Sequence, residues 1–494
     1  MSLRQAVLLP DGGPDVGLGH LVRCYALAEA LVADGWSCAV AIKAASLGGM
    51  CFVQRPNLEL WECPEVDGWT LEALAQRRPE GVDLVVIDDY GRDAQFERSL
   101  KPWARQSLVI DDMLDRVHDC DWLAVAAPPA GQPLPSHCRL LLGPAYTPLR
   151  REFWLHRLRH VVSAHREDLA VPAKSTILIN LGGTQQSDLL RLILQDLVDI
   201  QRPLHIQLVA AGAEAFVRAL TKTTPHLTFE AMPVSNQMAE LLTRADLVIG
   251  AAGSSAWERA ALGVPAVSLV IADNQLSTAA LLESCSAAVI LDCRQGIVAG
   301  TVGAAVRSLI DNSDRTREIA NRAAVLADGL GARRIVQQIA PERAADDAAV
   351  ILRPATEADI RIVYNWQSHP TTRRYANNPA IPTWSEHERW FAARLSDPRC
   401  LFNIIEHDGT AAGTIRLDLG HRDGEVSATV SIFIAQEKKR RGIALAALRA
   451  IRRLVPELTL HAEIDPRNEA SLRLFRSAGY RQVSDRWHVN TAAA

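Results

Sequence analysis

The chain has 494 residues, of which 48% are hydrophobic and 22% charged, a balance that predicts a soluble globular protein of about three domains. A net charge of −4 provides no general positive field, so we expect no nucleic-acid partner. The N-terminal apolar run is too short for a signal peptide, and no apolar stretch has membrane-spanning length, so we expect a cytoplasmic protein without membrane insertion. Nine cysteines without a CxxC pair or zinc-type spacing predict neither disulfides nor a bound metal.

The first two thirds of the sequence alternate short apolar runs with helical patterns. Runs typical of buried strands occur at 6–9, 39–42, 84–87 and 108–110, and again, after Val171-Pro172, at 176–180, 205–209, 247–249, 266–270 and 288–291. Strands that alternate with helices form parallel sheets. The pattern therefore predicts an α/β protein with two Rossmann-like lobes, residues 1–165 and residues 166–340.

The pattern changes in the last third of the sequence. Residues 339–347 are polar and show no apolar period, which is typical of a short linker. Beyond them, Asp-Gly turns at Asp408-Gly409 and Asp423-Gly424 separate strand-like runs, as in antiparallel hairpins. We therefore expect a mixed α+β domain over residues 349–490.

A glycine-rich turn follows the first predicted strand and ends in a histidine. Gly17 and Gly19 allow a ligand to approach the backbone, and the helix that begins there favours negative charge. His20 lies at the carboxyl end of a strand, where it can accept a proton from water near neutral pH. A tight turn with a capping or core histidine would give the same pattern, so the motif alone leaves both interpretations open.

The second lobe contains a strand-to-helix turn of small residues, Gly250-Ala-Ala-Gly-Ser-Ser255. Its amides, with the hydroxyls of Ser254 and Ser255, can bind a diphosphate, and Glu258 lies one turn into the helix, where its carboxylate can accept two ribose hydroxyls. Asn180-Leu-Gly-Gly-Thr184 forms a similar turn upstream. The alternative for Glu258 is a carboxylate that only complements the helix dipole.

These motifs, in this order, resemble the UDP-2,4-diacetamido-2,4,6-trideoxy-β-L-altropyranose hydrolases of the pseudaminic acid pathway, which are similar to GT-B glycosyltransferases. The resemblance covers about residues 1–340 and includes His20-x-x-Arg23, Val86-Ile-Asp-Asp-Tyr-Gly91, Leu181-Gly-Gly-Thr184 and Gly253-Ser-Ser-Ala-Trp-Glu258 with Asp273-Asn-Gln275. It implies inverting hydrolysis at C1 of the sugar, with UDP as the leaving group. Leu9-Pro10 depart from the family, which usually has an arginine in this region.

The resemblance also implies roles for individual residues. His20 would be the general base, and the catalytic group would include Tyr90 and Asp88 near the sugar. The implied substrate-binding residues are Gly17, Gly19, Arg23, Gly183, Thr184, Ser254, Ser255, Glu258, Asn274 and Gln275.

In the last third, Lys439-Arg-Arg-Gly-Ile-Ala444 precedes an apolar helix, and Asn468-x-x-Ser471-x-x-x-Phe475 follows a strand. Alone, the basic run would be a solvated surface. Together the two segments resemble the coenzyme A motifs of GNAT-type N-acetyltransferases. This resemblance implies acetyl-CoA as co-substrate, with Lys439, Arg440, Arg441, Gly442, Ile443 and Ala444 at the pyrophosphate and Asn468 and Ser471 at the pantetheine arm.

The resemblance leaves the acid and base of acetyl transfer open. Many family members have a tyrosine where this chain has Phe475, so Tyr480, Ser431 or water remain candidate acids, and Glu425, His461 and Glu463 remain candidate bases.

The two resemblances together predict a bifunctional enzyme that acetylates a UDP-4-amino sugar and hydrolyses the UDP-diacetamido product. Two alternatives remain at this point. The first half could be a glycosyltransferase that uses a UDP-sugar and a separate acceptor, or the chain could bind nucleotide sugars without catalysis, as Leu9 and Phe475 would allow.

Overall fold

The computed structural model describes residues 3–11, 18–43, 55–63, 68–162, 175–182, 187–210, 217, 226–232 and 237–492. It divides into two compact units. The first unit comprises Met1–Arg157 with Arg166–Ala332, and the second comprises Leu158–His165 with Arg333–Ala494.

The first unit contains two parallel sheets. The strands of the first sheet are β1 (Arg4–Pro10), β2 (Trp36–Lys43), β3 (Leu58–Cys63), β4 (Leu84–Asp88), β5 (Ser107–Ile110), β6 (Trp122–Val125) and β7 (Arg139–Leu142), in the order β3-β2-β1-β4-β5-β6-β7. The helices α1 (Gly19–Ala33), α2 (Leu71–Arg77) and α3 (Ala94–Leu100) lie between these strands in sequence. The strand order reverses between β1 and β4, and ligands of such sheets bind outside the carboxyl ends of the strands at this point.

The second sheet repeats this plan. It consists of β8 (Ser175–Asn180), β9 (Leu204–Val209), β10 (Leu227–Met232), β11 (Leu247–Ala251), β12 (Ala266–Val270) and β13 (Val289–Asp292), in the order β10-β9-β8-β11-β12-β13. Its helices are α4 (Arg151–Arg157), α5 (Ser187–Val198), α6 (Met238–Arg244), α7 (Ser255–Leu262), α8 (Leu276–Ser284), α9 (Thr301–Ile310) and α10 (Ser313–Leu326). The order reverses between β8 and β11, which places the Gly250–Ser255 turn at the carboxyl edge. The predicted fold class, two Rossmann-like lobes followed by a mixed α+β domain, is confirmed.

The second unit contains the mixed sheet. Its strands are β14 (Glu342–Arg343), β15 (Ala349–Pro354), β16 (Cys400–His407), β17 (Thr410–Arg422), β18 (Glu425–Ile434), β19 (Thr459–Glu463), β20 (Arg481–Gln482) and β21 (Trp487–Asn490). They follow the order β14-β15-β16-β17-β18-β19-β21-β20, and all neighbours are antiparallel except β18 and β19. The helices are α11 (Gly331–Ile339), α12 (Ile360–Gln367), α13 (Pro370–Arg373), α14 (Trp384–Leu395), α15 (Ile443–Leu454) and α16 (Glu469–Ser477).

The parallel pair β18–β19 is joined over only three residues of each strand. Ser427–Thr429 pair with Thr459–His461, and the strands have no further register partners in common beyond this point. Beyond this point the two strands no longer pair. Residues 430–433 of β18 and residues 463–465, at the end of β19 and just after it, line a cleft instead.

The predicted linker at 339–347 is wrong. Glu342 and Arg343 form β14, the edge strand that pairs with β15, and Arg453 Nη1 on α15 forms an ion pair with Glu342 Oε1 at 3.0 Å. A strand of two residues is too short to show an apolar period. Its sequence is therefore typical of a loop, although it forms the edge of the sheet.

None of the described helices is long and apolar enough to cross a membrane. Within the described ranges, no group of three or more His, Cys, Asp or Glu side chains is arranged to hold a metal ion.

Candidate functional sites

A cluster of polar side chains lies at the carboxyl edge of the first sheet. His20 is in the first turn of α1, Asp88 is the last residue of β4, and Asp112 lies two residues after β5 ends at Ile110. Because β1, β4 and β5 are neighbours in the sheet, the segments that follow their carboxyl ends converge. Side chains from three separate parts of the sequence therefore meet at one place.

Asp88 is the centre of this cluster. His20 Nδ1 is 2.6 Å from Asp88 Oδ1. Arg23 Nε donates to Asp88 Oδ2 at 2.5 Å, and Arg23 Nη2 donates to Asp88 Oδ1 at 2.6 Å. Arg23 Nη1 donates to Asp112 Oδ2 at 2.5 Å, and the Tyr90 hydroxyl donates to the same oxygen at 3.0 Å. The cluster is thus a connected network of His20, Arg23, Asp88, Tyr90 and Asp112.

The charges of the network determine which nitrogen of His20 carries a proton. Burial would raise the pKa of Asp88, but the charges and hydrogen bonds of Arg23 and His20 outweigh it and hold the pKa well below its usual range. An ionised carboxylate only accepts hydrogen bonds, so we assign a proton to His20 Nδ1, which faces Asp88 Oδ1 and lies 3.2 Å from Arg23 Nη2; in the neutral ring this tautomer leaves the lone pair on Nε2. His20 is therefore arranged as a proton acceptor, with Asp88 placed to stabilise the imidazolium that would form.

The Tyr90 ring packs against the His20 ring. Their ring centroids are 4.6 Å apart in an edge-to-face arrangement. Burial, followed by the charge of Asp112, raises the pKa of Tyr90, so the phenol stays protonated and donates to Asp112. His20 is 6% exposed, so little of its ring is open to solvent.

The structure shows what Arg23 and Asp88, predicted to bind substrate and to belong to the catalytic group, contact within the chain. Arg23 is 5% exposed and its guanidinium is occupied by Asp88 and Asp112, while Asp88 is fully buried. Both side chains contact the His20 network and position its ring, because the Arg23 guanidinium bonds to both carboxylates and Asp88 bonds to His20 Nδ1. Asp112 lies in the segment Val109-Ile-Asp-Asp112, which belongs to the family resemblance, but the sequence assigned no role to it, since an Asp-Asp pair after a strand has no distinctive spacing. Gly17 lies outside the described residues.

In the second lobe the small-residue turn connects β11 to α7. A Cβ at Gly250 would lie 2.7 Å from Arg259 Nη1 and 2.8 Å from the Asn180 carbonyl oxygen, so only glycine fits without movement. No side chain among the described residues caps the N-terminus at Ser254. The Ala256 and Trp257 amides donate to the Gly253 and Ser254 carbonyls at 2.8 and 3.2 Å, so the amides of Ser254 and Ser255 are the ones that could serve an anion.

Arg259 supports this turn through hydrogen bonds from its buried side chain, a role that no sequence pattern predicts. It is 3% exposed, and its Nη2 donates to the Ala251 carbonyl at 2.7 Å while Nη1 donates to Ser255 Oγ at 3.2 Å. Burial lowers its pKa from 12.5 to about 10, so it remains a cation at neutral pH. A positive charge therefore lies directly beneath the proposed diphosphate position.

The other predicted residues of this lobe have mixed positions. Glu258 lies 3.6 Å from Arg150 Nη2 and is largely buried, and burial raises its pKa despite the arginine. Gln275 Oε1 accepts from the Ile271 amide at 3.0 Å, so this side chain fixes its own loop, whereas Asn274 is exposed. Gly183 and Thr184 lie outside the described residues.

The two motifs of the first unit face one another. A Cβ placed on Gly19 would lie 3.5 Å from Ser254 Oγ. The N-terminus of α1, which carries His20, and the N-terminus of α7 therefore meet at one location. A ligand whose phosphates contact the α7 turn would extend toward His20.

In the second unit, the basic segment forms the N-terminus of α15. Gly442 is the N-cap, with φ +79°, and a Cβ there would lie 2.7 Å from the Ala345 amide nitrogen. Lys439, Arg440 and Arg441 are exposed, as an anion site requires, and no described side chain caps the helix. Ile443 is buried in the core and Ala444 is half-buried, so from these two residues only the backbone could serve a ligand. The segment fits the diphosphate of coenzyme A.

A cleft of about 760 Å³ opens where β18 and β19 separate. Asn468, Ser471 and Phe475 line it, as do Ser431 and Glu463. Asn468 Oδ1 accepts from the Ser471 amide at 3.2 Å and caps α16, which leaves the Asn468 amide nitrogen for a ligand.

Two of the candidate acids and bases of acetyl transfer line the cleft, and three do not. Ser431 and Glu463 line it, and Glu463 is held by Arg486 Nε at 3.1 Å and Asn377 Nδ2 at 2.9 Å. The other candidates, Glu425, His461 and Tyr480, are not among its lining residues. Glu425 is in the hairpin at the far end of β18, His461 is buried beside Arg422, and the Tyr480 ring lies behind Phe475.

Two family models match the chain. Residues 176–339 match the glycosyltransferase family 28 C-terminal domain, and residues 349–481 match the acetyltransferase (GNAT) domain. The chain thus joins a glycosyltransferase-like unit to an acetyltransferase domain.

Known proteins resemble this chain at low identity. An uncharacterized protein of Methanocaldococcus jannaschii is 20% identical, and the match covers 96% of each chain. The spore coat polysaccharide biosynthesis protein SpsG of Bacillus subtilis is 24% identical over 55% of this chain and 79% of its own. The crystal structure of MurG from Acinetobacter baumannii is 18% identical, covers 68% of this chain and 99% of that chain, and has a TM-score of 0.50, a similarity of fold.

Proposed function

We propose that this glycosyltransferase-like unit and the acetyltransferase domain joined to it catalyse consecutive reactions on one UDP-amino sugar. The second unit transfers an acetyl group from acetyl-CoA to the 4-amino group of the sugar. The first unit then hydrolyses the UDP-2,4-diacetamido-2,4,6-trideoxy-β-L-altropyranose product to the free sugar and UDP.

The His20–Asp88 pair facing the α7 turn is the observation that carries the hydrolase proposal. In this reaction His20 Nε2 accepts a proton from water, and the water oxygen attacks C1 of the sugar from the face opposite UDP. The bond from C1 to the diphosphate oxygen breaks, and its electron pair leaves with UDP. The amides of the α7 turn and the charge of Arg259 stabilise the departing diphosphate.

The surroundings of His20 favour water as the nucleophile. His20 is 6% exposed, and the Tyr90 ring packs against the His20 ring. We therefore expect a small molecule to fit beside Nε2 more readily than a second sugar. This observation supports hydrolysis over glycosyl transfer within the same fold.

The acetyltransferase reaction needs an amine, a thioester and a base. The N-terminus of α15 supplies the site for the coenzyme A diphosphate, and the cleft between β18 and β19 supplies space for the amine. The sugar nitrogen attacks the thioester carbonyl, the bond from carbon to sulfur breaks with its electron pair leaving on the coenzyme A sulfur, and the amine proton passes to a base, for which Glu463 is the candidate that lines the cleft.

The test uses the full chain with acetyl-CoA and UDP-4-amino-4,6-dideoxy-N-acetyl-β-L-altrosamine. We expect the products to be free diacetamido sugar, UDP and coenzyme A, and mass spectrometry measures all three. His20→Ala should stop UDP release and leave acetylation intact, whereas His205→Ala, a partly exposed histidine on β9, should change neither.

Three results would contradict the proposal. UDP release by His20→Ala at the native rate would exclude His20 as the base. UDP release only after addition of a second sugar would identify a glycosyltransferase, which the family 28 match favours as the second candidate. Tight binding of both substrates without turnover would identify a binding protein.

A further inference from the structure

The acetyltransferase cleft contains one arginine that differs from the other charged groups of its lining. Within the described residues the others have charged or capping partners: Glu386 accepts from Thr383, Arg416 pairs with Asp418 at 2.8 Å, Glu463 with Arg486 at 3.1 Å, and Asp465 with Arg467 at 2.7 Å. Arg373 has no ion pair in this part of the chain. Its Nη1 donates to the Asn378 carbonyl at 3.2 Å, and its Nε is buried without a hydrogen-bond acceptor.

The position of Arg373 makes this uncompensated charge effective inside the cleft. Arg373 is the last residue of α13, which is held to the segment before α15 by a hydrogen bond from the Gln436 side chain to the Thr371 hydroxyl. Burial lowers the pKa of Arg373. Burial, and in addition the charge of Arg373, lowers the pKa of His387 in the same cleft wall, so the arginine's field reaches across the lining.

A partly buried guanidinium whose Nε is enclosed without an acceptor is matched by a planar or tetrahedral anion. Removing a charge from water is costly unless an opposite charge and hydrogen bonds replace the water. The fork of arginine N–H groups fits phosphate oxygens, to which it donates two parallel hydrogen bonds. The free donors of Arg373 therefore specify a phosphate-bearing ligand in the cleft.

The cofactor loop does not account for this ligand. Residues 439–444, which form the N-terminus of α15, are absent from the lining of the cleft. The phosphate that contacts Arg373 would then belong to the acceptor rather than to acetyl-CoA. At about 760 Å³ the cleft is within the size range of small-molecule sites.

We infer that Arg373 binds a phosphate group of the acceptor, so that the acetyltransferase selects an amino sugar linked to a nucleoside diphosphate over the free amino sugar. This inference rests on the proposed function, which takes the second unit as an amino-sugar N-acetyltransferase. It adds the residue that recognises the nucleotide, and it gives a physical reason for the proposed order, because acetylation must then precede removal of UDP.

The experiment measures acetylation by the full chain with two acceptors, the UDP-linked 4-amino sugar and the same sugar without UDP. The variants are Arg373→Gln, Arg373→Lys and the control Arg374→Gln, which removes the same charge at an exposed neighbouring position. We expect Arg373→Gln to raise the KM for the UDP-linked acceptor about 10- to 100-fold, the effect of losing a charged hydrogen bond. Its KM for the free sugar and for acetyl-CoA should stay unchanged, Arg373→Lys should have an intermediate KM, and Arg374→Gln should match the native chain.

Inhibition by UDP provides a second measurement that does not depend on variant turnover. UDP should compete with the UDP-linked acceptor in the native chain and bind the acetyltransferase site more weakly in Arg373→Gln. This measurement is made in the His20→Ala background, so that UDP released by the first unit does not contribute.

The outcomes separate the two levels of the proposal. An equal rise of KM for both acceptors, or UDP inhibition unchanged by Arg373→Gln, would overturn the role of Arg373. A rise only in the KM for acetyl-CoA would overturn it as well and assign the phosphate to the co-substrate. Native protein that acetylates neither sugar would instead overturn the proposed function.

Discussion

Replacement of Asp88 by asparagine tests how the carboxylate activates His20. The Asp88 carboxylate accepts four hydrogen bonds, one from His20 Nδ1, two from Arg23 and a longer one from the Cys24 thiol. An asparagine has one oxygen and one NH₂ group. With the NH₂ group in the Oδ2 position it faces the Arg23 Nε donor, and in the Oδ1 position it faces the donors of both His20 Nδ1 and Arg23 Nη2. In both orientations the negative charge that would stabilise the His20 imidazolium is lost.

The expected loss is large because the pair is buried. In comparable Asp–His arrangements the amide slows catalysis by up to about 10,000-fold, and we expect at least about 1,000-fold here, which corresponds to about 4 kcal/mol in the transition state. Leaving Arg23 with one carboxylate should also destabilise the fold by about 3–5 kcal/mol. The assay is therefore UDP release from the diacetamido UDP-sugar, measured below the melting temperature of the variant.

Asp112→Asn is the matched control. It removes the negative charge that faces Arg23 Nη1 and the Tyr90 hydroxyl, while its amide oxygen can still accept from both, and it keeps the contact of His20 with Asp88. It should cost similar stability and slow UDP release far less than Asp88→Asn. Equal rates for the two variants would refute the argument that the His20–Asp88 bond determines the proton acceptor.

Two further predictions concern other parts of the chain. His118 is buried between Glu97 and Asp111, and despite its burial their hydrogen bonds raise its pKa to about 9. Its ordinary pKa is about 6.5, so its contribution of about 3 kcal/mol is complete below that pH and lost as the pH rises toward 9. Urea unfolding between pH 6 and 10 should show this loss in the native chain, and an equal loss in His118→Gln would contradict it. Gly442→Ala should raise the KM for acetyl-CoA at least about tenfold, since the new Cβ meets backbone at positive φ, and unchanged kinetics would show that α15 does not bind the diphosphate.

The sequence alone was sufficient for the fold class because of how parallel strands are buried. Strands covered on both faces read as continuous apolar runs, as β4 and β11 do, and glycine turns after them mark the carboxyl edge. Edge strands do not have this signature. β3 alternates exposed and buried residues and β14 has only two residues, so neither was predicted.

The site was predictable to the extent that a motif is local. The His20 turn, the Ser254–Ser255 turn and the Gly442 loop are each contiguous, and a contiguous turn determines its own backbone donors.

Only the tertiary structure decided what each charged side chain contacts. Whether Arg23 binds a ligand or Asp88, and whether His461 or Glu463 lines the cleft, depends on strands and helices distant in sequence. The charge of Arg373 has no counter-ion for the same reason. A carboxylate on any neighbouring element would have neutralised it, and tertiary packing, rather than the residues next to Arg373 in sequence, determines whether one lies there.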